Sequence, residues 1–184
     1  MQDGREKRLK HAAPLASPAL SYILTIRYMK IRLAHVSITA KDMTRLQEFY
    51  EKALGFVVSR PERGFSGDWL GKGTGVPGAR IKRVHLRLPD AGEGGAHLEL
   101  IEYSGTARET PFPAVDRAGL RHVAFETGSA EELAGLHDLI IGNGGGGLGE
   151  ISEKGIDGLG TVTFVYMTDP EGNIIELLNW RTSP

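Results

Sequence analysis

The sequence predicts an α+β fold of two βαβββ modules, because the order strand, helix, three strands is written twice along 184 residues. Three observations carry this expectation. The apolar pattern switches between strand and helix periods in the same order in both halves. At the start of each half, Leu33-Ala34-His35-Val36-Ser37-Ile38 matches Leu120-Arg121-His122-Val123-Ala124-Phe125. At the end of each half, Leu98-Glu99-Leu100-Ile101 matches Ile175-Glu176-Leu177-Leu178. Self-similarity of this kind marks an internal duplication, here twofold.

In the first half, Ile31–Thr39 alternates weakly and is rich in β-branched residues, which predicts a strand. Asp42 is placed to cap a helix whose Leu46, Phe49, Tyr50, Ala53 and Leu54 fall on one stripe, and Gly55 stops it. Phe56–Ser59, Lys82–Leu88 and His97–Tyr103 are the next strands, with a Gly/Pro-rich loop expected over Gly64–Gly78. In the second half, Leu120–Thr127 is the strand. Ser129 with Glu132 forms a capping box for a helix carrying Leu133, Leu136, His137 and Ile140, ended by Gly142. A glycine-rich loop then leads to strands at Gly149–Ser152, Thr161–Met167 and Asn173–Trp180, the last two joined by a turn at Asp169-Pro170-Glu171-Gly172.

Residues 1–28 lack this patterning, mixing basic and acidic residues with Ala, Pro and Ser, and are expected to form a flexible extension. The modules are assigned to residues 29–112 and 113–184. A formal charge of −1 gives no field for gathering polyanions, so nucleic acid is not an expected partner. The absence of cysteine excludes disulfides, thiolate metal sites and a cysteine nucleophile, and agrees with a reducing, cytoplasmic setting. No apolar run approaches the roughly 18–20 residues that cross a bilayer, so no membrane is expected as a partner.

Each half places a histidine on its first strand and a glutamate on its last. The histidines are 87 residues apart and the glutamates 77, so ten extra residues lie between His35 and Glu99, where the Gly64–Gly78 loop falls. Strand side chains stand perpendicular to the sheet, so neighbouring strands can present both ligands to one face. With only six histidines in the chain, one at each repeat-equivalent position argues for shared ligation over coincidence. His35, Glu99, His122 and Glu176 then make a site of two nitrogens and two carboxylates, suited to one divalent ion such as Zn, Ni, Co, Mn or Fe. The alternative is that either glutamate sits on a solvated strand face.

His35-Val36-Ser37-Ile38, Phe49-Tyr50-Glu51-Lys52-Ala53-Leu54-Gly55-Phe56, Arg121-His122-Val123-Ala124-Phe125 and Asp169-Pro170-Glu171-Gly172-Asn173-Ile174-Ile175-Glu176-Leu177 together resemble the vicinal oxygen chelate superfamily. The resemblance spans about Lys30 to Trp180. It implies that the two βαβββ modules form a curved mixed sheet around a central cup, with the family metal positions at His35, Glu99, His122 and Glu176. In ligand types the pattern is most similar to glyoxalase I and methylmalonyl-CoA epimerase. The resemblance implies a metal-dependent lyase or isomerase that moves a proton through a metal-chelated enediolate on a small substrate with neighbouring oxygens. Glu176 is then the first candidate for the base and Glu99 the second, and a homodimer is implied.

Two other readings stay open. One is an Fe(II) extradiol-type dioxygenase using His35, His122 and Glu176. The other is a metal-free, bleomycin-resistance-like protein holding an aromatic ligand through Trp69 and Phe65. Arg83, His85 and Arg87 share one strand face, either solvated or placed to receive a substrate carboxylate or phosphate; His97 shares the parity of Glu99. Gly73-Thr74-Gly75-Val76-Pro77-Gly78 fits a dinucleotide-binding pattern as text, but it follows no clear strand and opens no helix.

Overall fold

The computed structural model describes residues 33–92, 95–104, 116 and 119–182. The chain divides after Leu33, and the fold is that of the unit Ala34–Pro184. The extension expected over residues 1–28 lies outside the described residues.

The first module opens with strand β1, His35–Ala40. Asp42, in an extended conformation, accepts a hydrogen bond from Arg45 N at 3.0 Å and starts helix α1, Met43–Leu54. All five residues of the expected stripe are buried, joined by Met43, and Gly55 closes the helix at φ 70°. Strand β2 runs from Val57 to Ser66, past the point where the loop was expected. The rest of that loop contains a short helix, α2, Asp68–Thr74. With Gly71 and Gly73 inside it, each costing roughly 1 kcal/mol against alanine, its local propensity is poor. What offsets this is tertiary: Leu70 is buried against Ala79 and Ile81, and Phe65, Ile101 and Tyr103 pack around them. Gly71 also sits in tight quarters, since a Cβ there would meet Val76 O at 3.2 Å. Strands β3, Arg80–Arg87, and β4, His97–Tyr103, complete the module.

The second module repeats the order with its second strand in two pieces: β5, His122–Glu126; α3, Ala130–Gly142; β6, Gly146–Gly147; β7, Ser152–Ile156; β8, Gly160–Thr168; β9, Ile174–Arg181. The two pieces, β6 and β7, both pair with β8. Ser129 Oγ accepts from Glu132 N at 3.1 Å, while the Glu132 carboxylate reaches back to Gly128 N at 2.8 Å. The strand expected at Gly149–Ser152 begins instead at Ser152, and the glycine run supplies β6. Glycines let the backbone pass close to β8: a Cβ on Gly145 would lie 2.5 Å from Thr168 O.

Each module forms its own mixed sheet, four strands in the order β1-β4-β3-β2 and five with the path β5-β9-β8-β6, where β7 also pairs with β8. First and last strands pair in parallel in both (β1 with β4, β5 with β9) and all other pairs are antiparallel. The α+β fold of two βαβββ modules is therefore as the sequence predicts. The mixed sheet expected of the two modules is made in two parts, one from each module, with no ladder between them among the described residues.

One hydrophobic core serves both modules. Leu46, Phe49 and Tyr50 of α1 join Leu98 and Leu100 of β4 and Leu133, Ile140, Val165, Met167, Ile175 and Leu177 of the second half. Burying each such side chain contributes about 1.5–3 kcal/mol before entropy is counted. Polar ties reinforce the junction. Glu171, in the second half, accepts from Lys41 N at 2.8 Å and Asp42 N at 2.7 Å, ahead of α1, and Tyr50 Oη donates to Asp169 Oδ2 at 3.1 Å. The Asp169–Gly172 turn is thus a clamp on α1.

Candidate metal site

With the alternate residues of β4 and β9 committed to the core, Glu99 and Glu176 stand on the opposite faces of their sheets. The register is the same in both modules. Ser37 pairs with Glu99 and Ala124 with Glu176, so His35 and His122 each lie two residues before their glutamate's partner. Residues two apart share a face, and diagonal neighbours across a ladder are within reach of long side chains. His35 Nε2 is 3.4 Å from Glu99 Oε2, and His122 Nε2 is 3.1 Å from Glu176 Oε2.

Glu99 is buried at 4% exposure, which demands partners for its carboxylate. Arg83 supplies one, donating from Nη1 to Oε1 at 2.9 Å, while its guanidinium lies 4.6 Å over the Phe65 ring. His85, the ladder partner of Glu99, brings Nε2 to 3.3 Å from Oε1 without forming a hydrogen bond. Burial lowers the pKa of His85 below its ordinary value; Glu99 opposes the shift, and Arg83, His97 and Arg60 add to it. The ring is therefore neutral at pH 7, and both its nitrogens are buried without a hydrogen-bond partner. His97 pairs with His35 in the ladder, and its ring centroid is 4.8 Å from that of His85.

The second module is less polar around its pair. Tyr166 is the ladder partner of Glu176, the position His85 holds in the first module. Its ring lies 5.2 Å from that of His122, and Phe164 lies edge-on to it at 6.0 Å. Burial, and then the Glu176 charge, push the Tyr166 phenol above its ordinary pKa.

The four ligand candidates are thus brought together two by two. Among the described residues, no group of three or more His, Asp or Glu side chains converges closely enough to hold an ion. In donor chemistry the residues fit a borderline divalent ion: imidazole and carboxylate in each pair, and in the first an orphaned buried imidazole beside them. In number, the described residues bring the four candidates together only as two separate His–Glu pairs. Trp69, 63% exposed, donates Nε1 to Ser66 O at 3.0 Å and meets Phe65 edge-on at 6.2 Å.

The profile of the Glyoxalase/Bleomycin resistance protein/Dioxygenase superfamily matches residues 32–177. The chain belongs to that superfamily. Its fold is similar to that of a glyoxalase family protein from Bacillus cereus, at 19% identity and TM-score 0.69, over 84% of this chain and 97% of that one. A glyoxalase/dioxygenase from Nostoc punctiforme is similar at 18% identity and TM-score 0.56, over 82% and 91%. A glyoxalase I mutant from Zea mays is similar at 22% identity and TM-score 0.54, over 80% of this chain and 45% of that one. No curated protein matches the chain.

Within this superfamily fold, sequence reasoning left two site features unread. The Arg83–Glu99 pair was hidden because alternation places Arg83 on a face without saying what covers it. Tyr166 carries a signal that repeat alignment offers: it occupies the place of His85 in the second copy of the motif.

Proposed function

We propose that this chain is a metal-dependent lyase or isomerase of the glyoxalase type, moving a proton on a small substrate with neighbouring oxygens. The observation that carries the reading is the duplicated diagonal His–Glu pair, His35 with Glu99 and His122 with Glu176, in one register on equivalent strands. Its complete ligand set is assembled from two copies, each first-module pair meeting a second-module pair of the other subunit. Support comes from the faces themselves: both pairs stand opposite the shared core, and neither finds a third ligand among the described residues.

A divalent ion bound there supplies a Lewis acid for a substrate carbonyl. The residues divide the remaining work. Glu99 is held by Arg83 through Oε1, with Oε2 toward His35, which suits a fixed ligand. Glu176 has no comparable anchor among the described residues and retains some solvent exposure, which suits the carboxylate that carries the proton. Phe164 and Tyr166 give the second-module face an apolar wall that limits water near that carboxylate.

The test combines elemental analysis of protein purified without chelator with turnover of 2-oxoaldehyde–thiol adducts, acyl-CoA esters and catechols. A stoichiometric divalent ion and isomerisation or lysis of either of the first two classes is the expected result. Absence of a stoichiometric ion from folded protein that turns over none of these compounds would leave only the binding-protein reading.

The Arg83–Glu99 bond favours a second reading. If Arg83 keeps Glu99 out of the ligand set, His35, His122 and Glu176 remain as two histidines and one carboxylate, the set of an Fe(II) dioxygenase. Oxygen uptake with catechols decides for that reading.

A further inference from the structure

The face that carries Glu99 also carries an excess of positive charge that the metal pairs do not use. Arg60 is the ladder partner of His85, Arg63 of Arg83, and Arg87 of Val57, so four arginines from β2 and β3 stand on the Glu99 side of the sheet. Arg83 is committed to Glu99. For the other three, no carboxylate lies within ion-pair distance among the described residues.

Two of these, Arg60 and Arg87, line a cavity of about 220 Å³ together with Ser59, Gly95 and His97. Arg87 is fixed in place by donating Nη1 to Pro89 O at 2.9 Å, which leaves the rest of its planar fork for a ligand. His97 is oriented by Nδ1 at 3.3 Å from Gly95 O, and its Nε2 is buried with no partner. The cavity is thus lined by two arginines, by Ser59, whose hydroxyl donates to His85 O at 3.2 Å, and by His97, with no described carboxylate in its wall. It adjoins the first half-site, since the His97 ring is 5.8 Å from the His35 ring.

We propose that this cavity is the subsite for an oxyanion of the substrate, a carboxylate or a phosphate, held while the neighbouring oxygens react at the His35–Glu99 half-site. The physical case is direct. Two arginines that line one cavity, with no carboxylate at ion-pair distance among the described residues, suit an oxyanion, which accepts charge-assisted, geometrically selective bonds from them. The small volume selects a compact anionic group. The proposal rests on the reading of His35 and Glu99 as metal ligands only for where the reacting end lies; the anion site stands on Arg60 and Arg87, with His97 in its wall.

The experiment titrates the full chain with inorganic phosphate and, separately, succinate, following the His97 ring C–H signal by NMR, assigned with His97→Gln. Arg60→Gln and Arg87→Gln are measured beside the native protein, with far-UV circular dichroism to confirm folding and metal content taken on the same samples. A saturable shift with one or both anions, weakened about tenfold or more in each arginine variant at unchanged metal content, is expected. The anion that saturates at lower concentration names the group. Arg63→Gln, on the same face but outside the cavity, is expected to bind within about twofold of the native protein. No saturable shift with either anion, or equal binding in the Arg60 and Arg87 variants, overturns the subsite. Intact anion binding in protein that takes up no metal overturns the metal reading and leaves the subsite standing.

Discussion

Arg83 holds Glu99 by one oxygen only: its Nη1 donates to Oε1 at 2.9 Å, and Oε2 is left on the side of His35 Nε2, 3.4 Å away. A carboxylate anchored in this way has one oxygen for structure and one for a ligand. Removing the anchor with Arg83→Gln leaves Glu99 buried with its orientation unfixed. Metal affinity is expected to fall about ten- to a hundredfold, the usual cost of losing such support, read by competition with a chromogenic chelator. Unchanged affinity would take Glu99 out of the ligand set and favour the three-ligand reading.

The two glutamates are expected to fail differently. Glu99→Gln weakens metal retention, whereas Glu176→Gln lowers kcat by about 10²–10⁴-fold, the range for losing a general base. Steady-state kinetics at saturating metal separates the two effects.

Assembly across two copies has a sharp consequence. In a mixed dimer of Glu99→Gln and Glu176→Gln chains, one shared site carries both substitutions and the other carries neither. Equal mixing after reversible dissociation is expected to restore about a quarter of native activity, because about half the dimers are mixed and each holds one intact site. A site confined to one chain would give no recovery.

Tyr50 and Asp169 make a prediction for stability and pH. Burial raises the Asp169 pKa above the ordinary 3.8, opposed by hydrogen bonds from Asn173, Glu171 and Tyr50. In the window between those values the native state binds the proton more tightly than the unfolded chain, so stability falls as pH rises through it. Tyr50→Phe deletes one bond to the ionised form, moves the native value further up and extends the falling window to higher pH. It is also expected to cost about 1 kcal/mol near neutrality. Urea unfolding over a pH series measures both effects.

Leu70 anchors the short helix that glycine-rich sequence alone does not sustain. Leu70→Ala is expected to raise amide hydrogen exchange through Asp68–Thr74 by at least about tenfold while the protection of α1 is unchanged, because its cluster is separate from the main core.

What the sequence determined by itself was everything written in period and repetition. The cap at Asp42, the stripe of α1, the stop at Gly55 and the capping Ser129 are local, and a few neighbouring residues specify them. The equivalence of His35 with His122 and of Glu99 with Glu176 is equally legible, because duplication copies side-chain type and strand parity together. Only the tertiary structure decided the rest. Leu70 makes a helix of a Gly-rich stretch by finding Ala79 and Ile81, and the Asp169–Gly172 turn holds α1 through Tyr50 and the backbone of Lys41 and Asp42. Whether four ligands meet in one chain is likewise a matter of how two sheets are disposed about a shared core. Parity says which face a residue takes; it carries no information about what stands opposite that face.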